Sequence, residues 1–441
     1  WCSGFHRLKA HVRQFTPAWA ETITGVPEKQ IAEVARMYAT TKRAAIDLGN
    51  GVEHTPSSND AIRAVAILMA VTGHLDRPGT NLLNTPPKHS PKPISLRDRI
   101  TPEMVDKLVG PEFPKPFQPF VEGTSSAYYR ILESVLTEDP YAVRTIIAPG
   151  TQAMVSTRGS RNVAAAFQKL DFFVVADVTR TADMPFADIV LPLATSYEVD
   201  HPFQFVPGWL MATNRVIDPV HSAKSIFDFF FDLAMALGYG DDFWGGSIPA
   251  AMDDQLEPMG LTMDELRNLP TGVAVPPKPM KFEKYEAVFN RASPRLGGEP
   301  FLPRGRVQIY NTAFEKAGFN PLPQWREPPE SITGTPALLE QYPLILSDYH
   351  TSKNFSASWQ RNVPQLREIQ PHPVLHIHPR TAGSRRIADG NWVRVESPHG
   401  GIKVKAEIHP GIRPDTVMLL HGWWQGCREL GIEDTPILDG G

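Results

Sequence analysis

Cysteine is almost absent: Cys2 and Cys427 are the only two thiols in 441 residues. Two cysteines cannot build a disulfide framework, a four-thiolate zinc site or an iron–sulfur cluster site. Long hydrophobic runs are missing as well, and no stretch approaches the about 18 uninterrupted apolar residues of a membrane span. The richest segments, Ala61–Val71 and Ile226–Leu237, are interrupted by Arg63, Asp228 and Asp232. No charge of one sign dominates. Lys plus Arg number 44 against 48 Asp plus Glu, a formal net charge of −4, so bulk charge supports neither a nucleic-acid binder nor a membrane-surface protein. There is no Walker-type loop and no Ser/His/Asp signature. Gly150-Thr151-Gln152 lacks the second and third glycine of a dinucleotide fingerprint, which disfavours a plain NAD-dependent dehydrogenase.

What is present describes a large folded chain. With 41% hydrophobic and 21% charged residues it buries a sizeable core, and its length suits two to three domains. Proline is abundant, 43 of 441 residues, close to twice the usual share of about 5%. So many prolines imply long ordered connections over the surface of an α/β protein. The chain opens on Trp1, already close to a helical pattern at Phe5–Val12. It is therefore expected to be a piece of a longer polypeptide or a mature product.

The first 80 residues read as helix, strand and helix. Thr16-Pro17 is a cap followed by proline at the first helical position, and Thr24-Gly25-Val26-Pro27 punctuates the next start. From Glu28 to Ala39, residues Ile31, Val34, Ala35 and Tyr38 share a face at helical spacing. Ala44–Leu48 is a strand candidate closed by Gly49-Asn50-Gly51, and Ser57–Val71 a second amphipathic helix ended by Gly73. Residues 84–122 hold nine prolines without sustained period and read as a surface excursion, as do 270–303 and 321–336. The last is the expected domain boundary, giving an α/β region over 1–330 and a second domain over 337–441.

Between the excursions lies an α/β pattern. Val143–Ala148 is a buried-type strand, followed by Pro149-Gly150-Thr151-Gln152 and a helix near Asn162–Leu170; Phe172–Ala176 is a second strand ending at Asp177, and Asp188–Leu191 a third. Such strands imply a Rossmann-like parallel sheet covered on both faces, with ligands where loops leave the carboxyl ends of the strands. That singles out Gly150–Gln152 and Asp177–Thr181. From Tyr342 onward Leu344–Ser347, Val374–His378, Trp392–Ser397, Ile402–Ile408 and Thr416–Leu420 read as strands of a small closed barrel.

Each constellation also has a structural reading. Asp177 can accept hydrogen bonds from ribose or guanine donors, or cap a helix. His372, His376 and His378 resemble metal-ligand spacing, but strand alternation puts His376 and His378 on one outward face of a β-strand. Asp47, Glu53 and His54 could serve acid–base chemistry, yet their loop is polar throughout. Trp423-Trp424 after His421-Gly422 can fill a core or floor a pocket.

Taken together, these stretches resemble the molybdopterin oxidoreductases of the dimethyl sulfoxide reductase family over nearly the whole chain. The resemblance rests on Phe15–Ala20 with Ile23–Pro27, Ala61–Ala64 leading to Leu75–Gly79, Val174–Asp177 with Thr181, and Ala187–Pro192. It continues through Pro303–Tyr310, Tyr342–Leu346, Ile377–Ala382, Asp389–Val393 and His421–Trp424. Trp1–Phe5 and Asn354-Phe355 are particularly similar to the acetylene hydratase branch.

The resemblance implies two molybdopterin guanine dinucleotides holding one molybdenum or tungsten, with the carboxyl-terminal barrel, of double-psi type, over both. It makes Gly150, Thr151, Gln152, Asp177, Val178, Thr179 and Thr181 nucleotide contacts. In the barrel domain it adds Ser347, Tyr349, His350, Thr351, Asn354 and Phe355. Main-chain N–H groups there bind pyrophosphate without net positive charge. The chain departs from the family at Gln152-Ala153, where Asn-Pro is usual, and at Thr181-Ala182-Asp183-Met184, where a Thr-Glu-Thr-Ala-like run is usual.

The resemblance also implies that the 4Fe–4S cluster and the metal-ligating residue belong to a part preceding Trp1, so no catalytic or metal residue is assigned. The expected activity is two-electron redox of a small substrate, with an iron–sulfur electron-transfer subunit as partner. The alternatives are a non-redox hydratase and a cofactor-free scaffold like the large iron–sulfur subunit of respiratory complex I. The compartment, cytoplasmic or periplasmic, stays open.

Overall fold

A computed structural model describes residues 2–83, 87, 89–94, 101, 103–104, 107, 109, 128–206, 208–276, 278–284, 306–316, 318–349, 359–420 and 422–434. The amino-terminal helices form where their punctuation predicts. The Thr16 side chain accepts the Trp19 N–H and Pro17 follows it, starting the helix Pro17–Thr24, and Gly25 closes it at φ 70°. Helices Glu28–Thr40 and Ser58–Thr72 follow, the second closed by Gly73 at φ 77°. Ile31 and Tyr38 are half-buried, whereas Val34 on the same predicted face stays 57% exposed.

The strand expected at Ala44–Leu48 is not formed. Ile46 spends its main-chain groups on the Asn81 side chain instead: its N–H donates to Oδ1 at 2.9 Å and its carbonyl accepts from Nδ2 at 2.7 Å. An amide side chain thus replaces a neighbouring strand. A two-residue strand the sequence did not signal, β1 (Cys2–Ser3), pairs parallel with β8 (Val307–Gln308).

The parallel sheet runs in the order β2 (Thr145–Pro149), β3 (Phe172–Asp177), β4 (Ile189–Pro192). Helices Tyr128–Thr137 and Ser160–Lys169 cover one face with Leu132, Val135, Val163 and Phe167; Phe167 stacks on Phe173 of β3 at 4.4 Å. The other face is more open than the sequence reading implies, since Ile147 and Ile189, which flank Val174 on it, are 36% and 42% exposed.

A second core was not separated out in the sequence. It gathers β5 (Gln204–Val206), β6 (Trp209–Met211) and β7 (Val273–Ala274) with helices Ile226–Ala236, Ile248–Leu256 and Met263–Arg267. Leu210, Phe231, Met252 and Leu266 fill it. Capping boxes at Ser225/Asp228 and Thr262/Glu265 start two of its helices.

The carboxyl-terminal strands are β9 (Ile345–Asp348), β10 (Val374–Ile377), β11 (Trp392–Ser397), β12 (Gly400–Ile408) and β13 (Thr416–Leu419). They form one curled sheet in the order β11-β12-β10-β13-β9 around Leu375, Ile377, Val404, Ala406 and Val417. It is a half-barrel: among the described residues β11 and β9 are edges and do not pair with each other.

Candidate functional site

The carboxyl ends of β2 and β3 lie side by side because the strands are parallel and in register, Pro149 beside Ala176. Gly150 turns the chain away from β2 at φ 64°, its N–H donating to the Ala176 carbonyl at 2.7 Å. A side chain at Gly150 would meet no atom within 4 Å, so glycine is required by the left-handed backbone and the space in front of it is open.

Gln152 follows, only 6% exposed, and neither its amide oxygen nor its amide nitrogen has a partner in the protein. Across from it, Asp177 is 4% exposed and its Oδ1 accepts the N–H groups of Val178 at 2.7 Å and Thr179 at 3.3 Å. The Thr179 and Thr181 hydroxyls are buried without partners. A further unpartnered buried donor is the Trp424 indole N–H, carried in by the segment that follows β13. Trp424 packs in the same apolar cluster as Ala153 and Ala182, and the Arg180 guanidinium lies 5.1 Å from its ring centre.

A buried polar atom left unpaired costs about 1–3 kcal/mol. Folded proteins hold few such atoms, and each asks for an explanation. Those of Gln152, Thr179 and Thr181 lie at the strand ends where open parallel sheets bind ligands. Amide, hydroxyl and indole groups beside a carboxylate suit a heterocyclic base, ribose and phosphate, so the residues fit a nucleotide-bearing cofactor.

One carboxylate joins the two loops. Asp183 is fully buried; its Oδ2 accepts the Ala153 N–H at 2.7 Å and its Oδ1 the Met154 N–H at 2.9 Å. Burial pushes its pKa up to about 6 and the Asp177 charge adds to the rise, while the two backbone bonds oppose it.

The carboxyl-terminal segment is clamped over these loops. Arg361 and Arg367 are 1% and 2% exposed, and both stack on Trp423, at 4.5 and 4.8 Å. Arg361 donates to the Gly422 carbonyl, and Arg367 to the carbonyls of Gln425 at 2.8 Å and Pro371 at 3.0 Å. Farther along, Asp434 pairs with Arg180 at 2.6 Å and accepts the Gly426 N–H at 2.6 Å. Of the tandem tryptophans, Trp424 enters the core, and Trp423 stacks under the two guanidinium groups.

The structure thus brings together Gly150, Gln152, Asp177, Thr179 and Thr181. Thr151 lies in the same turn, and Val178, 41% exposed, beside Asp177. On the half-barrel, Ser347 lies on β9, and its hydroxyl donates to the Asp348 carbonyl at 3.2 Å. Tyr349 stacks on His376 at 4.6 Å, with its hydroxyl 3.3 Å from Nε2, so its side chain is engaged within its own sheet. His350, Thr351, Asn354 and Phe355 lie outside the described residues.

The three histidines do not converge. His376 sits between Tyr349 and His409, and His372 meets Trp392 edge-on. His378 is not on the strand: it follows β10 and caps the helix Pro379–Ser384, its Nδ1 accepting the Arg380 N–H. Asp47, Glu53 and His54 are exposed. Among the described residues no group of three or more His, Cys, Asp or Glu is placed to hold a metal ion.

Sequence reasoning missed Asp183, Arg361 and Arg367. Asp183 left a trace, because it lies in the run that departs from the family pattern. The arginines left none, since their partners are 61 and 58 residues away.

Comparisons with known proteins point the same way. A family described as molybdopterin oxidoreductase matches residues 29–236, and one described as molydopterin dinucleotide binding domain matches residues 344–435. Acetylene hydratase of Syntrophotalea acetylenica is 28% identical over 98% of this chain and 61% of its own length. Dopamine dehydroxylase of Eggerthella lenta is 27% identical over 95% and 48%. Dimethyl sulfoxide/trimethylamine N-oxide reductase of Cereibacter sphaeroides is 26% identical over 95% and 54%. The chain therefore spans about half to three fifths of these relatives. The solved structure of acetylene hydratase from Pelobacter acetylenicus superposes with a TM-score of 0.82 at 25% identity, covering 100% of this chain and 62% of that one.

Proposed function

Because the chain belongs to the molybdopterin oxidoreductases of the dimethyl sulfoxide reductase family, we propose that it is the guanine-dinucleotide-holding part of a molybdenum or tungsten catalytic subunit. The observation that carries this reading is the cluster of buried, unpartnered polar atoms on Gln152, Thr179, Thr181 and Trp424 around the ends of β2 and β3.

In this reading the metal–pterin group, when bound, supplies two-electron chemistry on a small substrate. The chain's own residues bind and orient. Gly150 leaves room for close approach to the main chain, and the Asp177 carboxylate accepts from guanine or ribose donors. The Gln152 amide and the Thr179 and Thr181 hydroxyls serve the remaining donors and acceptors. The Gly422–Gln425 segment, held by Arg361 and Arg367, closes over them and excludes water. The 4Fe–4S cluster, the metal-ligating residue and the electron-transfer subunit are assigned to polypeptide outside this chain.

A second reading is a non-redox hydratase, favoured by the similarity to acetylene hydratase over 98% of the chain. A cofactor-free scaffold is disfavoured, because it would retain unpaired buried polar groups without a ligand to pair them. Metal analysis with measurement of GMP released by acid tests the proposal. Molybdenum or tungsten together with GMP is the expected result, and a purified protein yielding neither would overturn it.

A further inference from the structure

In the proposed reading two loops make the nucleotide site, and the Gly150 N–H already joins their bases by donating to the Ala176 carbonyl at 2.7 Å. The turn Gly150–Gln152 leaves β2, and the loop Asp177–Thr181 leaves β3. Only two residues beyond Thr181, the Asp183 carboxylate reaches back and accepts two consecutive N–H groups, Ala153 at 2.7 Å and Met154 at 2.9 Å. Those donors immediately follow Gln152, whose side-chain amide is buried with both polar atoms unpartnered. Whatever fixes the Ala153 and Met154 main chain therefore fixes where the Gln152 amide stands.

We propose that Asp183 is the positioning residue of this nucleotide site, its ionised carboxylate tying the two loops together and holding Gln152 in place for the ligand. The inference rests on the reading of the site as a guanine-nucleotide site. Both carboxylate oxygens are acceptors here, so the arrangement needs the anion. A proton on either oxygen would set an O–H against an N–H, and one of the two contacts would open.

The surroundings of Asp183 make that proton available near neutrality. Asp177, at the end of β3, is the charged group that acts on it, raising its affinity for a proton in addition to burial. Arg180, from the same loop, directs its guanidinium to Asp434 and Trp424. The turn after β2 offers main-chain N–H groups, and from the helix Ser160–Lys169 and the carboxyl-terminal segment the neighbours in the core are apolar side chains. Asp183 is thus held as an anion at a cost to the fold, and the return is a fixed Gln152.

The test follows retention of the nucleotide rather than turnover. Protein isolated with its cofactor is dialysed between pH 5 and pH 8, and retained GMP and fluorescent oxidised pterin are measured for wild type and Asp183→Asn. Circular dichroism checks that each stays folded. Wild type is expected to retain both at pH 8 and about tenfold less below pH 6, where one of the two contacts has opened. Asp183→Asn is expected to retain about tenfold less at pH 8, the factor removed by one lost hydrogen bond of ordinary strength, with no further loss on acidification. Retention by wild type that does not change with pH would overturn the role of Asp183, whatever the variant does. So would a folded variant with wild-type retention or an unchanged acid limb. A wild type carrying neither GMP nor pterin at pH 8 would instead sink the nucleotide reading, and this role with it.

Discussion

Arg367 donates through Nη2 to the carbonyl of Gln425, 2.8 Å away and 58 residues further along the chain. The bond is buried, and with Arg361 on Gly422 it pins the segment that carries Trp424 over the loops at the ends of β2 and β3. A cation here stabilises main-chain geometry rather than answering a carboxylate.

Arg367→Met is therefore expected to release that segment without emptying the core volume. Two carbonyls lose a charged donor, and each such bond is worth about 1.5–3 kcal/mol. A drop of several degrees in melting temperature and a red shift in tryptophan emission should accompany the change. An unchanged melt and unchanged emission would show that the arginine is not the clamp.

Gln152→Met should have effects of opposite sign on the empty and loaded protein. Replacing a buried amide whose two polar atoms are unpartnered with an apolar side chain of similar shape should stabilise the empty form by about 1–3 kcal/mol. The same change should lower GMP content. Thermal melts of cofactor-free protein and nucleotide assays of loaded protein check the two halves separately.

The pH dependence of stability should carry the mark of Asp183. Its pKa rises from 3.8 to about 6 on folding, chiefly through burial, so the folded chain holds this proton more tightly than the unfolded one. Its contribution is fully favourable below about pH 4 and is lost as pH rises to about 6, roughly 2–3 kcal/mol in all. Subtracting the Asp183→Asn curve from the wild-type curve isolates this loss. A difference that is flat between pH 4 and 6, or that rises, would contradict it. Nucleotide retention is expected to move the other way over the same window.

Away from the site, Asp76 is fully buried at φ 53° and its Oδ1 accepts from Lys284 Nζ at 2.6 Å and from the Leu83 N–H at 3.1 Å. Lys284→Met strips the cation from a carboxylate that has no access to water, a change that costs about 3–5 kcal/mol. Adding Asp76→Asn should recover part of that loss, because the unpaired charge is then gone. Denaturant unfolding of the single and double variants measures both.

Much of the fold was legible because its signals are local. Buried parallel strands read as continuous apolar runs, so Phe172–Ala176 and Val143–Ala148 lie within one or two residues of β3 and β2. The candidate loops followed from them, since open parallel sheets take ligands at the carboxyl ends of their strands. What failed depended on contacts distant in sequence. Ala44–Leu48 has strand composition, but Asn81 takes its hydrogen bonds from 35 residues away. His378 alternates correctly with His376, yet Pro379 starts a helix there and turns it into a cap. Barrel closure depends on pairing between β11 and β9, which no local pattern encodes. Asp183 reads as one more polar residue until the chain folds and places it against Ala153.

The central claim is that the ends of β2 and β3 hold a guanine nucleotide. Its most direct measurement is the GMP content of wild-type protein against Asp177→Asn, which keeps Oδ1 for the Val178 and Thr179 N–H groups but loses the negative charge. The account predicts GMP in stoichiometric amount with the wild type and about tenfold less with the variant, the effect of about 1.4 kcal/mol in binding. A wild type without GMP, or a variant that retains it fully, would contradict the account.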